Sequence, residues 1–140
     1  MGMSLRICAE AGVLRVMATG EFSLEEAQRT FLEILDAVAR HQTDKILLDG
    51  RELKGSLDPI ERFLYGKFAA DAVARYLTEG DVPRAPQFAY VLQEPVLDPR
   101  RFGETVAVNR GMQVKTFDTL AAALGWLGVA PANQPDASDA

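Results

Sequence analysis

Hydrophobic and polar positions alternate in two short runs at the start of the chain, LRICAE and VLRVMATG, separated by Ala11-Gly12. This period of two predicts an antiparallel hairpin, with Leu5 and Ile7 on one face and Arg6 and Cys8 on the other. The period then lengthens: Ala27, Phe31, Ile34, Leu35 and Val38 recur at helical spacing to near His41. Ser23 opens that helix as an acceptor for a free backbone N–H. Glu26 stands where it can reach back to the cap, and Phe22 and Ala27 are spaced as a hydrophobic staple. KILLDG follows, and its unbroken Ile46-Leu47-Leu48 predicts a strand covered on both faces, with Asp49 at its carboxyl end.

Asp58-Pro59-Ile60-Glu61 combines an acidic cap, proline at the first helical position and glutamate at the third, a strong start for a second helix. Phe63, Gly66, Ala70, Val73, Ala74 and Leu77 are read as its inward face, and Gly80 as its end. After a loop with Pro83 and Pro86, QFAYVLQ predicts a buried strand. Asp98-Pro99 repeats the cap-plus-proline start, with Leu97 stapled to Phe102, and places a short helix whose inward face is Phe102 and Val106. Gly111 lets the chain leave that helix in a left-handed conformation. MQVKTF is a more alternating strand and so nearer an edge. Asp118 is read as the cap of a last helix that turns Leu120, Ala123, Leu124 and Leu127 inward and leaves Trp126 off that face. The order β-β-α-β-α-β-α-β-α predicts an α/β fold: a mixed sheet of about five strands, antiparallel at its start and parallel afterwards, with helices packed on it.

The 140 residues predict one domain over 1–128, followed by a small, polar, proline-containing tail, 129–140, expected to be disordered. No apolar run reaches the length of a membrane span, and the amino end lacks the apolar segment and cleavage site of a signal peptide, so a cytoplasmic protein without stable membrane insertion is expected. The formal net charge of -5 argues against nucleic acid, whose binding draws on clustered Lys and Arg. Cys8, the single cysteine, has no disulfide partner and no second thiol with which to share a metal.

The strand ending LLDGRELKG, the helix with IERFLYG, the strand FAYV and the segment RFGETVAVNRGMQVKTFDTLAAALGWL together resemble the SpoIIAA-like proteins, a bacterial branch related to STAS domains. The resemblance runs from the first strand to Leu127, and its most specific part is 101–127. It implies a non-enzymatic module that binds a protein partner, in which STAS relatives are switched off by phosphorylation of a serine at a helix start. The matching stretch here is Leu57-Asp58-Pro59-Ile60, where the acidic cap is kept and the serine pair is not. Ser56 precedes the cap, which disfavours a phosphoswitch there. This branch has also been likened to the lipid-carrying CRAL-TRIO domains, which implies, as an alternative, a pocket for a small apolar ligand between the second helix and the sheet.

Ligands in open α/β sheets favour the crevice beyond the carboxyl ends of parallel strands. Asp49 and Arg51 follow one such strand, while Arg62 and Tyr65 sit one turn apart early in the second helix, so these four are the candidate ligand-binding residues, with Phe63 or Phe68 as an apolar wall. Each has a structural explanation as well: Asp49 as an acceptor for N–H groups in the following turn, Arg62 as a solvated cation and Tyr65 as a half-buried aromatic. Asn109, Arg110 and Gly111 are explained mostly as a helix ending, in which Gly111 supplies the left-handed residue, Arg110 complements the dipole and Asn109 bonds nearby backbone. Neither a nucleophile–base pair around Cys8 or His41, nor a phosphate loop, nor a metal-ligand spacing is found, so no enzyme activity, metal or cofactor is expected. Homodimerisation through a sheet edge or the Trp126 face is left open.

Overall fold

The two alternating runs at the amino end pair as the period of two predicts. β1 (Met3–Glu10) and β2 (Val13–Glu21) form an antiparallel ladder from Met3 opposite Gly20 to Glu10 opposite Val13. The computed structural model that gives this ladder describes residues 2–10, 12–80 and 84–129. Ala11 of the hairpin, Pro83 of the later loop and all but the first residue of the expected tail lie outside the described residues. β3 (Lys45–Lys54), β4 (Gln87–Val91) and β5 (Gln113–Phe117) then add in parallel, giving the order β1-β2-β3-β4-β5. The mixed sheet is therefore antiparallel at its start and parallel afterwards, and MQVKTF does form an edge.

Each parallel strand joins the same side of the growing sheet, so crossovers of one hand carry their helices to one face. α1 (Leu24–His41), α2 (Pro59–Glu79) and α3 (Phe102–Asn109) share a core with Leu14, Val16, Ile46, Leu48, Phe88 and Tyr90. α4 (Leu120–Leu127) follows the last strand and closes the opposite face over Val13, Leu47, Ala89 and Val91. That two-sided cover is why Ile46-Leu47-Leu48 is apolar without a break.

Several local expectations are corrected. β3 does not end at Asp49 but runs to Lys54, because β2 is longer than β4 and offers backbone partners through Thr19, Gly20 and Glu21. The register shifts there: Gly50 and Arg51 of β3 lie against the single residue Ala18 of β2, a bulge. α3 begins at Phe102 rather than at Asp98-Pro99, since Arg101 is left-handed (φ 52°) and interrupts the run. Asp98 still caps, accepting from the backbone N–H of Arg100 (3.0 Å) and Phe102 (2.8 Å). Phe102 is exposed, so the inward face of α3 is built around the buried Ala107, with Val106, half-buried against Gly66 of α2, keeping its expected place. Gly103 lies against α2, where a Cβ on Gly66 would come within 2.5 Å of its carbonyl oxygen.

The capping box of α2 forms as expected, with Glu61 N–H donating to Asp58 (2.8 Å) and Asp58 N–H to Glu61 (3.0 Å). The buried stripe of α2 is Gly66, Ala69, Ala70, Ala72 and Val73. Ala74 and Phe63 are exposed, Phe63 because it sits a turn ahead of the covered part of the helix. Gly80 ends α2 in an extended conformation (φ −100°). At α1, Ser23 accepts from Glu26 N–H (3.3 Å), but the Glu26 carboxylate, rather than closing the box, accepts from Met3 N–H (2.9 Å) and ties β1 to the helix. Thr119, not Asp118, caps α4 by accepting from Ala122 N–H (3.2 Å). Trp126 is half-buried and packs on Phe117, ring centroids 5.9 Å apart. Gly111 leaves α3 at φ 97°, as its position requires.

Candidate functional site

The four candidate ligand residues fall into two places on opposite faces of the sheet. Arg62 and Tyr65 face the core between α1, α2, α3 and the sheet, where the packing leaves a cavity of about 100 Å³. Its walls are apolar, including Ile34, Leu48, Ala69, Leu92 and Val96. Neither Phe63, which is exposed, nor Phe68, which packs half-buried against the core, lines it. Asp49 and Arg51 instead border a separate, more polar groove with Met17, Thr19, Glu52 and Gln93.

Within the cavity the Tyr65 hydroxyl meets the Tyr90 hydroxyl at 2.6 Å. Tyr90 is only 8% exposed, and Tyr65 packs edge-on to the buried ring of Phe31, centroids 6.2 Å apart at 86°. Burial of the phenols pushes Tyr65 up to about 12 and Tyr90 well above its ordinary value, so both carry their protons at neutral pH. At the mouth Arg62 pairs with Asp98 (2.9 Å) and reaches the Pro95 carbonyl (3.5 Å). Arg101 donates to the Thr116 carbonyl (3.2 Å), and Glu104 accepts from Thr116 N–H (2.8 Å). The charges of the mouth are thus spent on one another and on backbone.

Asp49 is buried and held by Arg51 through two side-chain bonds, from Nε (2.9 Å) and a terminal nitrogen (2.8 Å), and one from the Arg51 N–H (3.2 Å). The N–H that Asp49 accepts belongs to the strand bulge rather than to a turn. The Arg51 side-chain bonds hold the Asp49 carboxyl below its ordinary 3.8 against the opposing effect of burial. A carboxyl lowered by folding contributes stability above the unfolded value, and that contribution is lost as pH falls through the folded one. Arg51→Gln is accordingly expected to cost about 1 kcal/mol at pH 7, discounted for the exposed side of Arg51. The difference should shrink once Asp49 protonates in acid. Urea unfolding followed from pH 7 down through the acid range checks this: the difference between the two proteins should narrow as the pH falls, and a variant as stable as wild type at pH 7 would count against the charge effect.

Ser56 is exposed, two residues ahead of the Asp58 cap, and lies outside the first turn of α2. Asn109 and Arg110 end α3 at the rim opposite the strand carboxyl ends, exposed, with the Arg110 N–H bonded to the Ala107 carbonyl (3.1 Å). His41 ends α1, and Cys8 is an exposed free thiol on the edge strand. Among the described residues no three His, Cys, Asp or Glu gather as a metal site, and no helix is long and apolar enough to cross a membrane. Tyr90 and Asp98, which complete the cavity, were not among the candidate ligand residues. Tyr90 was legible in FAYV, where the period of two puts Phe88 and Tyr90 on one face.

The chain superposes on the crystal structure of an anti-sigma factor antagonist from Mycobacterium paratuberculosis with a TM-score of 0.56 at 16% identity, over 91% of this chain and 95% of that one. The two share a fold. An uncharacterized protein with a SpoIIAA-like fold from Shewanella loihica PV-4 gives a TM-score of 0.47 at 22% identity, over 90% of this chain and 94% of that one. No family model matches the sequence, and no curated protein does. Neither structural neighbour bears on the likeness to lipid carriers. On the anti-sigma-antagonist fold the cavity lies beneath the amino-terminal half of α2, the helix at whose start the STAS resemblance places a switch serine and where this chain has Leu57-Asp58-Pro59.

Proposed function

We propose that the chain is a non-catalytic protein-interaction module, without a serine switch, that docks its partner on the amino-terminal half of α2. The observation that carries this reading is the exposure of three large apolar side chains there: Ile60 at 70%, Leu64 at 40% and Phe63 at 37%. Phe102, exposed at the start of the adjoining α3, extends the patch. Ile60 stands largely clear of the fold and Phe63 and Leu64 are covered only in part, and such an apolar patch is favourable to cover. Asp58 and Glu61 flank it and, among the described residues, bond backbone N–H groups and no cation. The matching partner surface is apolar with a Lys- or Arg-bearing rim. The shared fold with an anti-sigma factor antagonist supports a protein partner. The non-catalytic part is supported by the displaced carboxyls, Glu26, Asp49 and Asp98, each of which is paired with an arginine.

The test is affinity purification of the tagged chain from its native cells, followed by titration of the recovered partner with wild type and with Ile60→Asp/Leu64→Asp. Burying two carboxylates in an apolar contact is expected to weaken binding at least about tenfold, while the fold is retained with a modest drop in thermal midpoint, since Ile60 is largely exposed and Leu64 lies at the margin of the core. A partner that binds the double variant as well as wild type, or no reproducible partner, would count against the proposal.

A second reading is favoured by the cavity: a small-molecule site under α2, with Arg62 and Tyr65 among its polar edges and Tyr90 and Asp98 completing them. Asp49 and Arg51, on the other face and bonded to each other, have no part in it.

A further inference from the structure

The polar groups of the cavity can be accounted for one by one. Thr30, buried in its wall, donates to the Ala27 carbonyl (3.2 Å). Arg62, Asp98, Arg101 and Glu104 neutralise one another or bond backbone at the mouth. The two tyrosine hydroxyls bring two O–H donors, and their mutual bond uses one. Either hydroxyl can be the donor of that bond, so the unspent O–H belongs to one of the pair, the partly buried Tyr65 or the more than nine-tenths buried Tyr90, and among the described residues neither has a further acceptor. An unspent donor at such a depth carries a cost that a bound acceptor removes.

We propose that this cavity binds a small, uncharged, largely apolar molecule that presents one hydrogen-bond acceptor, a carbonyl or ether oxygen, to the Tyr65–Tyr90 hydroxyl pair. The assignment rests on the small-molecule reading of the same site and narrows it to a ligand class. The volume sets the size: about 100 Å³, against roughly 150 Å³ for an apolar cavity that encloses benzene, leaves room for about four or five heavy atoms, with anything longer leaving through the mouth. The walls set the polarity. A carboxylate or ammonium group would lose its hydration there and find every countercharge already engaged. A neutral acceptor loses less and meets the free O–H.

The experiment uses a pair of probes of one shape, butan-2-one and 2-methylbut-1-ene, in which the carbonyl oxygen is exchanged for a methylene carbon. Each is titrated by methyl NMR, following Leu48, Leu92 and Val96, into the full chain and into the Tyr65→Phe/Tyr90→Phe variant. Millimolar binding of both probes to the wild type is expected, in keeping with their size. Loss of the hydroxyls should weaken the ketone about fivefold more than the alkene, the effect of one neutral hydrogen bond. Comparing the two proteins cancels the greater hydrophobicity of the alkene. If both probes bind and the variant weakens them equally, the cavity is a ligand site but the acceptor assignment is overturned. If neither shifts the cavity methyls, the small-molecule reading falls with it. An unchanged methyl spectrum away from the cavity checks that the variant keeps the wild-type fold.

Discussion

Replacing Phe31 by alanine is expected to destabilise the chain by about 3–5 kcal/mol, the range for removing a buried aromatic ring. Phe31 is fully buried on α1, stands edge-on to Tyr65 of α2 and lies 5.4 Å, centroid to centroid, from Phe88 of β4. One ring thus joins two helices to the sheet, and its loss leaves a void that these neighbours fill only in part. The void opens beside the tyrosine pair, so the variant should also loosen Tyr65. Urea unfolding followed by circular dichroism measures the first effect, and the sharpness of the Tyr65 ring resonances reads the second. A loss below 1 kcal/mol would show that α1 and α2 collapse around the gap.

Gly66→Val should cost about 3 kcal/mol, the upper part of the range for overpacking. A Cβ at this position would lie 2.5 Å from the Gly103 carbonyl oxygen and 3.2 Å from Val106 Cβ, and the first of these is backbone that yields only if α3 moves. Replacing glycine usually helps a helix interior, by up to about 1 kcal/mol for alanine and less for a β-branched residue, so the gain does not offset the clash. Because α3 begins at the cavity mouth, displacing it should also disturb the Arg62–Asp98 pair. Thermal unfolding measures the cost. Gly103→Val, whose Cβ would meet the Arg62 carbonyl oxygen at 3.2 Å, should be the milder of the two.

Much of the local structure was legible because it is fixed by near neighbours in sequence. The hairpin follows from alternation between Leu5 and Ala18, the α1 face from the spacing of Phe31, Ile34, Leu35 and Val38, and the α2 start from Asp58-Pro59-Ile60-Glu61. The errors lie where a distant segment competes with a local signal. Asp98-Pro99 carries the chemistry of a helix start, yet Arg101 turns left-handed and α3 begins four residues beyond Asp98. Glu26 could have closed a capping box with Ser23, yet it bonds Met3 of β1 instead. Gly50-Arg51-Glu52 reads as a loop, yet β2 supplies backbone partners for the extension of β3.

The candidate site divides in the same way. Arg62 and Tyr65 could be paired from their spacing on one helix, because a turn of helix brings such positions together. Their actual partners, Asp98 and Tyr90, come from another loop and another strand. Asp49 and Arg51 are two residues apart and bond each other, but the face they occupy depends on the strand and its bulge. Periodicity and capping act over one or two turns, so the elements, their order and the mixed sheet follow from the residues alone. Which face each residue serves, where the cavity remains, and that one O–H of the Tyr65–Tyr90 pair has no further acceptor among the described residues depend on packing among segments far apart in the chain.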